Sequence, residues 1–254
     1  FALEPSYLIY WGFLYFSTYK KLSIVRIGVV VFPGSNCDRD AAHAMEQLGH
    51  EVVMLWHKDA AIANFTPEDC IILPGGFSFG DYLRSGAIAR FSPIVDAIKQ
   101  HAEAGGKVLG ICNGFQVLCE MGLLPGALAR NNNQRFSCKD VYLRVESTTS
   151  TLTLGLSGGE VLKIPIAHAE GRYVISEAGL RDLQSKNQIV VRYCNAEGQI
   201  NDTSNPNGSM DDIAGISNKK GNVVGLMPHP ERAAESVLGN ADGKVLLECL
   251  SKSL

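Results

Sequence analysis

Three stretches of the chain are apolar almost without interruption: residues 26–32 (RIGVVVF), 69–73 (DCIIL) and 107–111 (KVLGI). A half-exposed strand alternates apolar and polar positions, whereas these runs suit strands buried on both faces, as in a parallel sheet covered by helices. Helical spacing lies between them. Ala41, Ala42, Met45 and Leu48 share one face of a helix over 38–48, and Gly49 can stop it. A second strand fits 51–56. Ser92-Pro93 supplies an N-cap and a first-turn proline for a helix that runs to about Ala104. This order predicts an α/β fold with a mostly parallel central sheet flanked by helices.

The second half is less regular and predicts an additional β-rich region. Strands fit 141–146, 160–167, 188–193, 213–217 and 222–227, the last two joined through the turn Asn218-Lys219-Lys220-Gly221. Residues 195–209, rich in Asn, Asp, Ser and Gly, read as a surface loop, and 242–252 as a closing helix. There is no internal repeat or low-complexity linker, so residues 26–254 are expected to form one domain. Residues 1–25 are expected to lie outside it. Their apolar part, 7–16, is 10 residues long, about half of what crosses a bilayer. Glu4 before it and Lys20-Lys21 after it fit a signal peptide poorly.

Composition excludes several classes. The 254 residues carry a formal charge of −3 and are 46% hydrophobic, which argues against a nucleic-acid binder. The seven cysteines are scattered, and none forms a CxxC pair. Neither a zinc knuckle nor a disulfide framework is expected, and the thiols point to a reducing compartment.

Chemistry concentrates at three strand ends. Gly110-Ile-Cys-Asn-Gly114 stands between an apolar strand and a helix beginning near Asn113. This G-x-C-x-G is the cysteine analogue of a nucleophile elbow. Its glycines relieve crowding at a strained turn, and the helix N-terminus favours negative charge on Cys112. A buried, inert cysteine is the competing reading. Met227-Pro-His-Pro-Glu231 follows another strand. In extended chain His229 and Glu231 would point the same way, as a base and its orienting carboxylate. Leu73-Pro-Gly-Gly-Phe-Ser78 ends a third strand. There the Gly76 or Phe77 amide could complete an oxyanion hole with that of Asn113. His168 and Glu170, in His-Ala-Glu-Gly-Arg172, rival the 229–231 pair by spacing alone.

Taken together, GICNGFQ, MPHPE and LPGG resemble the class I (triad) glutamine amidotransferases. The blocks VFPGSNCDRDA (31–41), LPGGFSFGDYLRSGAIARFSP (73–93), GLLPGALARN (122–131), PIAHAEGRY (165–173) and NPNGSMDDIAGISN (205–218) are similar, more narrowly, to the glutaminase subunits of phosphoribosylformylglycinamidine synthases. The resemblance runs from about Arg26 to the C-terminus and implies a flavodoxin-like amidotransferase domain. It implies that Cys112 attacks the side-chain amide of L-glutamine, that His229 moves protons, and that Glu231 orients it. Gly76, Phe77, Asn113 and Gln116 would contact the substrate. The loop bearing His168, Glu170 and Arg172 would face the pocket and a partner.

The implied partners are a synthetase subunit and a small third subunit. The resemblance implies that ATP and magnesium are used on the synthetase, with which the lack of a P-loop in this sequence agrees, and that no metal or other cofactor is held here. A cytoplasmic location without membrane or nucleic acid is also implied. Ala169 stands where the family usually has glycine, so a left-handed backbone there would be strained by roughly 1 kcal/mol. Another triad amidotransferase subunit, a γ-glutamyl hydrolase, or a scaffold that has kept the fold are the competing readings.

Overall fold

The computed structural model describes residues 24–252. The first part is a parallel α/β unit. It comprises β1 (Arg26–Val31), α1 (Asp38–Gln47), β2 (Glu51–Trp56), β3 (Cys70–Leu73), α2 (Ile94–Glu103), β4 (Lys107–Ile111) and α3 (Asn113–Glu120). The second part holds β5 (Ala127–Ala129), β6 (Ser137–Val145), β7 (Val161–His168), β8 (Arg172–Val174), α4 (Glu177–Ser185), β9 (Ile189–Cys194), β10 (Ile213–Ser217), β11 (Val223–Leu226) and α5 (Asp242–Glu248).

The expected α/β fold forms, and the β-rich region is not a separate layer. One sheet runs β2-β1-β3-β4-β11-β10-β9-β6-β7. Its β2-β1-β3-β4-β11 half is parallel and the rest antiparallel. The two halves meet at β11, which follows β10 through the 218–221 hairpin, pairs antiparallel with it and lies parallel beside β4. β3 and β4 are buried at every position. Each fully buried Ile, Leu or Val there contributes about 1.5–3 kcal/mol. Helix α1 covers β1 and β2, and α3 lies across β3, β4 and β11.

Several expectations shift by local physics. Val25 is buried in the core, so the domain reaches one residue beyond the boundary drawn at Arg26. Residues 1–23 of the expected head lie outside the described residues. Ser92 does not cap α2 with its side chain, because its hydroxyl bonds His57 Nδ1 at 3.2 Å. The 195–209 stretch is mostly loop, but Asn207 and Ser209 turn inward. Asn207 donates to the Gly171 carbonyl. The closing helix tightens into a 3₁₀ turn at Cys249–Ser251. Helix α4 has no counterpart in the sequence reading, since Leu183 alone of its residues is buried and its periodicity is faint.

Candidate active site

The carboxyl ends of β3, β4 and β11 are neighbours in the sheet. They deliver Gly75-Gly76, Cys112 and His229 to one place, the crevice where open α/β sheets bind ligands. Cys112 sits on the turn from β4 to α3 with φ 50° and ψ −104°, a conformation that L-residues avoid. Such strain costs on the order of 1–3 kcal/mol and persists only where neighbours over-determine it. Here they do. The Cys112 amide donates to Leu226 O at 2.8 Å, and its carbonyl accepts from Phe115 and Gln116. The flanking glycines are steric requirements. A side-chain carbon on Gly114 would lie 1.9 Å from Leu73 O, and one on Gly110 2.5 Å from Leu118 Cδ1.

His229 and Glu231 come together, though not as extended chain. Pro230 opens a 3₁₀ turn, Pro230–Ala233, that folds Glu231 back. The His229 ring then shares a 2.6 Å hydrogen bond with Glu231 Oε1 through Nδ1, and both side chains are almost wholly buried. The second ring nitrogen, Nε2, is left for the sulfur. Burial opposes charge on His229, but the Glu231 carboxylate and Cys112 outweigh it and lift its pKa to about 10. The imidazolium is therefore favoured beside the thiol. Gly75 makes the approach between the two sites possible: a side-chain carbon there would stand 2.7 Å from His229 Cε1 and 3.4 Å from Cys112 Cβ.

The antiparallel end of the sheet closes the site from the other side. The His229 amide donates to Pro165 O in β7, and the Cys112 thiol reaches Ala167 O at 3.8 Å. Between them opens a pocket of about 220 Å³, walled by Gly76, Phe77, Cys112, Gln116, His168 and Glu170 among others. The amides of Gly76, Phe77 and Asn113 donate to no protein acceptor among the described residues. Asn113 Oδ1 accepts from the Ser78 amide at 3.2 Å, which ties the two sources of amides together. That arrangement suits an oxyanion hole.

His168 and Glu170 share the 229–231 spacing but do not pair. The His168 ring bonds Asn131 Oδ1 through Nδ1, and burial with the nearby His229 pushes its pKa down to about 4. Glu170 instead accepts from Ser85 Oγ at 2.7 Å and faces the Arg130 guanidinium at 3.6 Å. Gln116 lines the pocket, but both ends of its amide are engaged, by Asn113 Nδ2 and by Glu170 O. Arg172 is not part of the wall, because its guanidinium turns to Arg130 O. Ala169 keeps an ordinary backbone, so the strain expected there is absent. Asp81, Ser85 and Arg130 line the pocket without having been singled out. They lay within recognised sequence blocks, but no spacing rule gave them a role.

Cys37 stands behind His229 and Glu231. Its Sγ and ligand atoms of His229 and Glu231 lie within 4.8 Å of one another. Burial pushes its pKa up to about 12, and the Arg232 guanidinium donates to the sulfur at 3.0 Å. That fixed cation opposes a metal ion at this position.

Residues 24–244 match the family model described as a CobB/CobQ-like glutamine amidotransferase domain. The chain is 54% identical over 226 residues to phosphoribosylformylglycinamidine synthase subunit PurQ of Salinibacter ruber, covering 89% of this chain and 95% of that one. The corresponding protein of Moorella thermoacetica is 52% identical over 224 residues, 88% of this chain and 94% of that one. A solved structure of PurLQS from Thermotoga maritima matches with a TM-score of 0.79 and 45% identity, over 90% of this chain and 98% of that one. A putative GMP synthase subunit from Thermoplasma acidophilum, 13% identical with a TM-score of 0.58, shares the fold. The chain therefore belongs to the CobB/CobQ-like glutamine amidotransferase family and, within it, to the group of PurQ subunits of phosphoribosylformylglycinamidine synthase.

Proposed function

We propose that this protein is the glutaminase subunit of a phosphoribosylformylglycinamidine synthase in purine biosynthesis, with Cys112, His229 and Glu231 as its triad. The observation that carries the residue assignment is the 2.6 Å His229–Glu231 bond beside a cysteine held at φ 50° on the elbow. The Cys112 sulfur attacks the amide carbon of glutamine, and the oxyanion is received by the amides of Gly76 or Phe77 and Asn113. His229, charged at rest, gives its proton to the amide nitrogen as the C–N bond breaks. Ammonia leaves and a glutamyl thioester remains. His229 then takes a proton from the water that attacks the thioester, and glutamate is released as the Cys112 thiolate is restored beside the imidazolium. Glu231 holds the ring in register and stabilises its charge.

Ammonia passes to a synthetase subunit, where ATP and magnesium activate the formamide oxygen of formylglycinamide ribonucleotide. A small third subunit completes the assembly. Phe77 in the pocket wall and the adjacent, highly exposed Tyr82 and Leu83 give the synthetase an apolar rim to cover. Among the described residues no helix is long and apolar enough to cross a membrane. All seven cysteines are thiols, which supports a reducing compartment such as the cytoplasm.

The test is ammonia release from glutamine, by the chain alone and with its synthetase partner, ATP and formylglycinamide ribonucleotide. Cys112→Ala should abolish glutamine-dependent amidine formation while free ammonia still supports it. Glutamine use by that variant would refute the nucleophile, and an inactive wild-type complex would refute the function.

A further inference from the structure

The block at residues 31–41 enters neither the mechanism nor the pocket wall, yet it packs directly against the reacting groups. Ser35 Oγ donates to Gly75 O at 2.8 Å. A side-chain carbon on Gly75, the glycine between His229 and Cys112, would also meet Cys37 Sγ at 3.3 Å. Cys37 is the N-cap residue of α1 and is 2% exposed, and Asp40 follows in the first turn of that helix. Residues three apart on a helix share a face, and here both meet Arg232. The guanidinium donates to Cys37 Sγ at 3.0 Å and to Asp40 Oδ2 at 3.2 Å. The thiol itself donates to Asn36 Oδ1 at 3.4 Å, which leaves the sulfur lone pairs for Arg232.

Arg232 follows Glu231 in the chain, yet the two opposite charges do not pair. Glu231 Oε1 is bonded to His229, whereas Oε2 is buried with no hydrogen-bond partner among the described residues. An ionised carboxylate oxygen accepts strongly from a guanidinium. The guanidinium is one sulfur atom away. Cys37 Sγ touches it on one side and lies within 4.8 Å of ligand atoms of Glu231 and His229 on the other. The donors that could serve Oε2 are spent on α1 instead. The consequence falls on His229, where burial opposes the charge and the Glu231 carboxylate outweighs it. A guanidinium paired with Glu231 would cancel that carboxylate and set a second cation beside the imidazolium. The other titratable groups felt by the ring are Cys112 on the elbow and His168 on β7, which is neutral.

We propose that Cys37 is a positioning residue that holds the Arg232 guanidinium on helix α1 and away from Glu231, so that the whole charge of this carboxylate is left to His229. The proposal rests on the glutaminase reading above and deepens it. The triad is guarded against the cation that its own sequence places next to Glu231.

The experiment follows kcat/KM for glutamine against pH in the assembled synthase, because its limbs report the acid and base of the free enzyme. Cys37→Ala and Cys37→Val both remove the acceptor, and valine keeps the space filled. In both, the alkaline limb should move down by roughly one to three pH units, the range for a charge gained at contact distance. Activity above the limb should fall about tenfold for each unit. Cys37→Ser keeps an acceptor and should leave the limb at its wild-type position. Arg232→Gln removes the cation. Combined with Cys37→Ala or Cys37→Val it should return the limb to the wild-type position, a coupling that lost packing alone would not produce. Co-elution with the synthetase subunit identifies folded variants. An unmoved limb in the alanine and valine variants overturns the proposal. So does a shift in the alanine variant alone, which marks a cavity, or a shift that survives Arg232→Gln. A wild-type complex that fails to hydrolyse glutamine refutes the glutaminase reading instead.

Discussion

Two His-x-Glu segments flank the same cysteine and behave in opposite ways. In His229-Pro-Glu231 the proline starts a 3₁₀ turn, and the carboxylate bonds the ring at 2.6 Å. In His168-Ala-Glu170 the histidine ends β7, the backbone at Ala169 is ordinary, and the two side chains find other partners. His168 turns to the neutral amide of Asn131 and Glu170 to Ser85. One ring is held charged and the other neutral. Spacing of the residues did not decide this; the partner each ring meets did.

The largest break of that comparison is at the rings themselves. His229→Asn should lower kcat for glutamine by about 10²- to 10⁴-fold, the range for a lost proton-transfer group. His168→Asn should lower it less than tenfold. Steady-state ammonia release measures both, and equal losses would make His168 a second proton carrier. Next, Glu231→Gln removes the charge that holds His229 protonated. A loss of about 10²-fold or more is expected in kcat, with the pH optimum displaced to lower pH. An unchanged pH profile would show that Glu231 does not set the state of the ring.

The opposite shifts also predict opposite stability limbs. His168 is pushed from 6.5 down to about 4, so the fold binds fewer protons there than the unfolded chain. Its contribution is fully present above pH 6.5 and is lost as pH falls toward 4, amounting to about 3 kcal/mol. His229 is lifted to about 10, so its contribution is full below pH 6.5 and is lost as pH rises through 10. In urea melts across pH, His168→Asn should flatten the acid limb alone and His229→Asn the alkaline limb alone. The smallest effect concerns the middle residue. Because Ala169 is not left-handed, Ala169→Gly should destabilise by less than about 1 kcal/mol through added freedom of the unfolded chain. Stabilisation in the same melts would reveal strain at that position.

Much of the parallel half was legible because burial on both faces leaves a continuous apolar record, as in residues 27–31 and 70–73. The elbow was legible for a similar reason: Gly110 and Gly114 are demanded by atoms closer than 3 Å. Helix α4 was not, since a helix with one buried residue writes little pattern. β5 and β8, three residues each, are too short to show a period. Nor was the continuity of the sheet, because antiparallel neighbours β6, β9 and β10 are set by long-range register.

The sequence by itself determined the layered α/β fold, the elbow that makes Cys112 the candidate nucleophile, and a short set of histidine and carboxylate candidates. These are local matters of side-chain periodicity, glycine sterics and residue chemistry. Only the tertiary structure decided which histidine is charged and that Asp81, Ser85 and Arg130 share a wall with Glu170. It also decided that Gln116 spends its amide on its neighbours. Those outcomes depend on which group each side chain meets across long sequence separation, and on how far water is excluded where they meet. Hydrogen-bond partners and charge interactions fall off within a few ångströms, so only the folded chain fixes them.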